Sequence, residues 1–154
     1  MAAFIFDASG IVKRYLNEIG SGWVQGLADP AAAHDIFLTR ITRVEVVAAV
    51  TRRGRGGRMP ASAVPAMLAQ FRHDAAHQYN ILEVPPALLT DAERLAEIHG
   101  LWAYDAVQLA VAAELHRGRS TIGLSRLTLI SADQELNAAA IAQGIDVDDP
   151  TAHP

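Results

Sequence analysis

The chain contains no cysteine. That excludes disulfides, thiolate zinc sites and a cysteine nucleophile, and it fits a reducing compartment. No apolar run approaches the roughly 20 residues that a membrane span needs. The opening, Met1-Ala2-Ala3-Phe4-Ile5-Phe6-Asp7, has no basic stretch and meets an acid too early for a secretory signal. Internal repeats, linkers and low-complexity blocks are also missing. These absences predict a cytoplasmic protein with no membrane partner. The 154 residues, 51% of them hydrophobic, suffice for one domain with a sizeable core. We expect that domain over residues 1–150, with 151–154 as a loose tail.

What is present is a set of four acids in or beside short apolar runs. Asp7 follows Phe4-Ile5-Phe6. Glu45 lies inside Ile41-Thr42-Arg43-Val44-Glu45-Val46-Val47. Asp105 sits in Ala103-Tyr104-Asp105-Ala106, and Asp133 closes Leu127-Thr128-Leu129-Ile130-Ser131-Ala132-Asp133. A carboxylate buried without a partner is costly, and no matching set of buried-looking lysines or arginines stands out. One shared partner would solve all four cases, and a hard divalent cation such as Mg2+ or Mn2+ is the simplest. The net charge of -4 comes from 13 basic and 17 acidic residues, so without these four acids the chain is balanced.

Apolar spacing and turn residues predict alternating strands and helices. Strands are expected at 3–7, 36–38, 81–84, 127–131 and 145–147. Helices are expected from Ser9 through Leu16 with Ser9 as the cap, from Gly20 to Asp29, from Ile41 to about Arg53 ended by Gly54, Gly56 and Gly57, and at 62–78 capped by Ser62. Further helices are expected at 87–99, at 104–117 broken by Gly118, and at 133–143 with Gly144 beyond the end. This alternation predicts an α/β fold, a three-layer α/β/α sandwich with a mostly parallel central sheet. In such sheets ligands bind beyond the carboxyl ends of the strands. Asp7 and Asp133 stand at two such ends, and Asp105 and Glu45 open helices near the same level. A bound divalent ion would lower the pKa of its water and stabilise charge on a phosphodiester. The set therefore suits metal-assisted phosphodiester hydrolysis. Each acid also reads as a helix cap or dipole partner; that alternative is strongest for Asp133, which opens Asp133-Gln134-Glu135-Leu136, and weakest for Glu45.

The same residues resemble the motifs of PIN-domain nucleases. Phe4-Ile5-Phe6-Asp7-Ala8-Ser9 is similar to their opening, and Thr42-Arg43-Val44-Glu45 to their helix-borne glutamate. Tyr104-Asp105-Ala106-Val107-Gln108-Leu109-Ala110 resembles their most recognisable block. Ile130-Ser131-Ala132-Asp133-Gln134-Glu135-Leu136-Asn137 resembles their last acidic motif, and Gly144-Ile145-Asp146-Val147 with Pro150 their closing strand. The match runs in order over essentially the whole chain, and its compactness resembles the VapC toxins of type II toxin-antitoxin pairs. The resemblance implies a PIN-like nuclease domain and a homodimeric, Mg2+- or Mn2+-dependent endoribonuclease inhibited by a small cognate antitoxin. In it Asp7, Glu45, Asp105 and Asp133 are the catalytic, metal-holding residues, with Ser9 and Ser131 in support. One departure is Leu101-Trp102-Ala103, where many relatives carry a basic residue; it touches substrate contacts and leaves the metal site alone.

Other features read two ways. Arg52, Arg53, Arg55 and Arg58 could meet RNA phosphates or the acidic tail of an antitoxin, or simply complement a helix C-terminus. Trp102 could stack on a base or pack against the protein. His73 and His77 have the four-residue spacing of a metal pair but no third ligand, and read as a surface pair; His34 and His116 look incidental. Asp146, Asp148 and Asp149 read as a solvated cluster. Trp23, Val24 and Leu27, and Met67, Leu68 and Phe71, give apolar helix faces for the core or for a dimer interface. Two alternatives remain: a catalytically silent PIN-like module that binds RNA or protein, and a haloacid-dehalogenase-type phosphatase. The phosphatase needs a second aspartate where Ser9 stands and a lysine for which only Lys13 offers itself.

Overall fold

The computed structural model describes residues 1–154. Five strands form one parallel sheet in the order β3-β2-β1-β4-β5: β1 Ala3–Phe6, β2 Asp35–Thr39, β3 Asn80–Leu82, β4 Leu127–Ile130 and β5 Asp146–Asp148. β1 is central because it is apolar towards both sides. Ile5 faces one layer with Leu127 and Leu129 of β4, and Phe6 faces the other with Ile36, Leu38 and Ile130. Strands covered on both faces lose their alternation and read as short unbroken apolar runs.

Helices cover both faces. On one side lie α1 (Ala8–Ile11), α2 (Ser21–Leu27), α3 (Arg40–Arg55) and α4 (Val64–His77). On the other lie α5 (Pro86–His99), α6 (Ala103–Thr121) and α7 (Gln134–Ala142). The architecture is the three-layer α/β/α sandwich expected, and its sheet is wholly parallel. The chain winds outward from β1 through β2 to β3, then crosses by α5 and α6 to β4 on the other side of β1. The winding therefore reverses between β1 and β4, the place where sheets of this kind form a crevice beyond the strands' carboxyl ends. No helix is long and apolar enough to cross a membrane.

Several boundaries differ from the expectations. α1 is capped by Asp7, whose carboxylate accepts the Gly10 N–H at 2.8 Å, and not by Ser9. Of the glycines expected to end α3, Gly56 stands at its C-cap, whereas Gly54 does not stop it. Gly54 is buried inside the helix, and a Cβ there would collide with Val64 at the start of α4, so glycine serves a close helix–helix approach. Ser62 caps nothing; residues 61–63 form a 3-10 turn that leads into α4. Gly118 does not break α6, which runs on to Thr121. The last residues are tied down: residues 150–152 form a 3-10 turn, and the His153 ring stacks on Trp23 with centroids 4.0 Å apart. His153 also pairs with Asp148 at 2.7 Å. Gly20, at φ 86°, lets the chain pass directly under the Pro150 carbonyl.

Buried cations do exist, contrary to expectation, but each has its ion pair with an acid outside the four, although Lys13 also feels the charge of Asp7. Lys13, 5% exposed, pairs with Glu18 at 3.1 Å, and Glu18 also takes Arg53. Arg119 holds Ser125 and stands 3.8 Å from Asp35. Asp74, fully buried, accepts from Arg14 at 3.0 Å, Tyr15 at 2.7 Å and Gln70 at 2.8 Å. That network ties the turn after α1 to α4.

Candidate functional site

The end of β1 places Asp7. Its backbone N–H donates to the Ile130 carbonyl at 3.3 Å, and its side chain caps α1. Gly10 is required just behind it, because a Cβ there would collide with the Ile130 carbonyl. The Ser9 hydroxyl lies against both Asp7 oxygens, at 2.8 and 2.9 Å, and accepts the Ala132 N–H at 2.8 Å. Ser9 thus joins the loop after β1 to the loop after β4. Ser131, fully buried, stands 3.5 Å from Ser9 and accepts the Asp133 N–H at 3.0 Å. Asp133 caps α7, accepting the Leu136 N–H on Oδ1 at 2.9 Å. The cap reading of Asp133 is therefore correct for that oxygen, and Oδ2 takes no hydrogen bond.

Glu45 lies in the second turn of α3 and Asp105 in the first turn of α6. A buried amide anchors both helices to the sheet edge. Gln108 donates to the Phe6 carbonyl at 3.1 Å and accepts from the hydroxyls of Thr39 and Thr42, each at 3.1 Å. Thr39 in turn caps α3 through the Thr42 N–H. One side chain on α6 thereby holds the ends of β1 and β2 and the start of α3. Asn137, one turn beyond Asp133, plays a similar part by donating to the Ser131 carbonyl at 2.9 Å.

The electrostatics record how these acids face one another. Burial pushes the Asp7 carboxyl up to about 6, against the pull of its hydrogen bonds to Gly10 and Ser9. Glu45 is pushed up to about 7, first by burial and then by the charges of Asp7 and Asp105. Asp105 is raised by burial and by the neighbouring Asp133 and Glu135. The four predicted acids therefore form one chain of mutual repulsion across the crevice between β1 and β4. Every ion pair in the protein lies elsewhere. Removing charge from a group of clustered carboxylates takes a proton or a cation. An all-oxygen donor set of this kind fits Mg2+ or Mn2+. As they stand, no three of the side chains sit at metal-holding spacing; the donors are assembled at one edge without being drawn together.

The sheet order and the crevice invite comparison with known folds. The chain is similar to PAE2754 from Pyrobaculum aerophilum, with a TM-score of 0.64 and 21% identity over 98% of this chain and 91% of that one. The fold is PIN-like. The PIN-like fold also matches a toxin-antitoxin complex from Klebsiella pneumoniae, with a TM-score of 0.61 and 20% identity over 96% of this chain and 98% of that chain. FitAcB from Neisseria gonorrhoeae matches at a TM-score of 0.54 and 16% identity, over 96% and 97%. At such identities the PIN-like likeness is one of architecture. No family model and no curated protein matches the sequence.

The remaining expected site residues are spread more widely. Trp102, 79% exposed, is the N-cap of α6, and Tyr104, 60% exposed, lies in its first turn beside Asp105. Arg52, Arg53 and Arg55 form the last turn of α3, with Arg58 just beyond. Only Arg53 among them has an acidic partner, Glu18. His73 and His77 stack on each other on α4 with centroids 4.3 Å apart, and His77 Nδ1 is engaged by the His73 carbonyl. Sequence reasoning missed Gln108, Thr39, Thr42, Asn137 and the nearby acid Glu135. Gln108 and Thr42 fall inside the quoted motifs. A polar residue at the buried spacing of an otherwise apolar helix was the available signal.

Proposed function

We propose that this protein is a Mg2+- or Mn2+-dependent endoribonuclease acting as the toxin of a toxin-antitoxin pair. One observation carries the reading. Asp7 directly after β1, Glu45 on α3, Asp105 on α6 and Asp133 after β4 are linked by charge repulsion from one to the next, and none of them is in an ion pair. Asp7, Glu45, Asp105 and Asp133 would hold the ion, and Ser9 and Ser131 would support them. When bound, such an ion polarises the phosphodiester and eases ionisation of the attacking water.

The protein's own residues do the rest. Ser9 fixes the plane of the Asp7 carboxylate and locks the two loops that carry Asp7 and Asp133. Gln108 fixes the depth at which α3 and α6 present Glu45 and Asp105. In the metal-free protein the Glu45 carboxyl, raised to about 7, takes up a proton around neutral pH, and a bound cation would displace that proton and hold the carboxylate ionised. In hydrolysis the water oxygen bonds to phosphorus, the ribose oxygen leaves, and that oxygen takes up a proton.

The toxin role is supported by the fold shared with the Klebsiella toxin-antitoxin complex. The partners in this reading are RNA, a small cognate antitoxin and a second copy of the chain, all in the cytoplasm. Leu89 and Ile98 on α5, with Trp102 and Tyr104, leave large apolar side chains on the surface for such contacts. The phosphatase alternative lacks a carboxylate where Ser9 stands, and the Ser9 hydroxyl is committed to Asp7 and Ala132. Lys13 is likewise committed to Glu18.

The test is RNA cleavage with Mg2+, Mn2+ or EDTA, wild type beside Asp7→Asn and Asp105→Ala. Cleavage by the wild type that needs the metal, and is lost in both folded variants, is the expected result. A variant that cuts at the wild-type rate would sink the site assignment. Metal-indifferent RNA binding without products would favour the silent binding module.

A further inference from the structure

α3 carries more than Glu45 on the face that meets the crevice. Residues 45, 49 and 52 follow the i, i+4, i+7 spacing of a single helical stripe. The stripe reads Glu45, Ala49, Arg52, and Gly56 follows at the C-cap of the helix. Its second half is concave. Ala49, Arg52, Arg53, Gly56 and Arg58 line a hollow of about 380 Å³. Three of its five lining residues are arginines, and the other two, Ala49 and Gly56, add little bulk.

Its arginines are not otherwise employed. Arg52 and Arg58 are exposed and have no acidic partner. Arg53 is half-buried and held by Glu18, which is itself held by buried Lys13. One guanidinium is thus pre-positioned and two are free to close. Planar five-donor forks of this kind match the oxygens of a phosphate. Arg52 lies seven residues beyond Glu45, about 10 Å along the helix axis. A strand whose scissile phosphodiester sits among the acids can reach that point within a few nucleotides.

We propose that this hollow is a phosphate subsite that holds the backbone of the RNA strand at a fixed distance from the acidic crevice. The proposal rests on the reading of the protein as acting on RNA. It adds to that reading a place, a ligand group and a direction along α3 for the strand. Contacts to the phosphate backbone position a strand without reading its sequence.

The experiment measures binding of a single-stranded RNA 12-mer to the full chain in EDTA, where metal-dependent cleavage is silent, across a salt series. Wild type is compared with Arg52→Gln/Arg58→Gln. The charge-matched control is Arg117→Gln/Arg126→Gln, two exposed arginines near the opposite edge of the sheet. Melting curves verify that each variant folds. Loss of one phosphate contact should flatten the slope of log K against log salt by about 0.7, while the control keeps the wild-type slope. Equal slopes for wild type and the Arg52/Arg58 variant would overturn the subsite. So would an arginine-dependent affinity for polyglutamate with none for RNA, which would assign the hollow to an acidic protein segment. The cleavage assay is scored separately. An arginine-dependent slope in a protein that never cuts RNA would remove the nuclease and keep the subsite.

Discussion

Replacing Asp7 with asparagine should stabilise the metal-free protein at neutral pH. In the fold, burial raises the Asp7 carboxyl from 3.8 to about 6. The charged form is therefore disfavoured by about two pKa units, or roughly 3 kcal/mol at 1.36 kcal/mol per unit. A carboxyl that binds its proton more tightly in the folded state makes stability fall as pH rises. Its full contribution is present below about 3.8, the unfolded value, and is lost as pH climbs through the folded value of about 6. Glu45 acts in the same direction but is partly exposed, so solvent screening reduces its share. Asparagine carries no charge at any pH and caps a helix as well as aspartate does. It can also keep the Gly10 N–H bond. In EDTA at neutral pH the variant should therefore be more stable by on the order of 3 kcal/mol, or about 6–12 °C in melting temperature for a chain of this size. Near pH 4 the advantage should vanish. Saturating Mn2+ should raise the melting temperature of the wild type and not of the variant. Thermal melting from pH 4 to 8, with and without Mn2+, makes the measurement. Equal melting temperatures at neutral pH, or a gap that widens on acidification, would refute the argument that Asp7 is a destabilising buried charge.

Three further substitutions probe the scaffold. Gln108→Leu removes the donor to the Phe6 carbonyl and leaves the Thr39 and Thr42 hydroxyls only each other and the Thr42 N–H; it should cost about 1–3 kcal/mol in urea unfolding, and a change below about 0.5 kcal/mol would mean that the carbonyl finds another partner. Asp74→Ala leaves the Arg14 guanidinium without its carboxylate and should cost about 3–5 kcal/mol, whereas Tyr15→Phe at the same network should cost about 1 kcal/mol. Gly20→Ala puts a side chain at φ 86° against the Pro150 carbonyl; it should destabilise by about 1–3 kcal/mol and change Trp23 emission as the His153 stack is lost, and an unaltered spectrum and melting curve would contradict the close approach.

The central strands were legible because burial on both faces leaves a compositional mark. Phe4-Ile5-Phe6 and Leu127-Thr128-Leu129-Ile130 are short, apolar and followed by acids, and both lie where expected. Four acids could be grouped because charge inside apolar runs demands an explanation. Helix ends were less legible. A glycine costs about 1 kcal/mol in a helix, so Gly54 and Gly118 read as stops. Packing against Val64 requires Gly54 within α3, and α6 extends past Gly118 on its own length. Ser9 read as a cap because capping is local, whereas its real partners, Asp7 and Ala132, include one 123 residues away. Gln108 was hidden for the same reason: it joins residues between 66 and 102 positions distant. Contacts of that kind leave no periodic trace.

The position of β4 has a consequence for how the protein comes into being. β1 and β2 are synthesised early, but the other neighbour of β1 begins only at Leu127. Until that strand inserts, the Phe6 side of the sheet lacks Ile130, the Ser9 hydroxyl lacks Ala132, and Asp133 does not exist. A nascent or prematurely ended chain therefore carries Asp7, Glu45 and Asp105 on an unfinished frame. The four acids are not brought to one edge of the sheet until nearly the whole chain has been made. The exposed turn at Gly123, just ahead of β4, becomes the natural place to divide the protein into two fragments, neither of which carries all four acids.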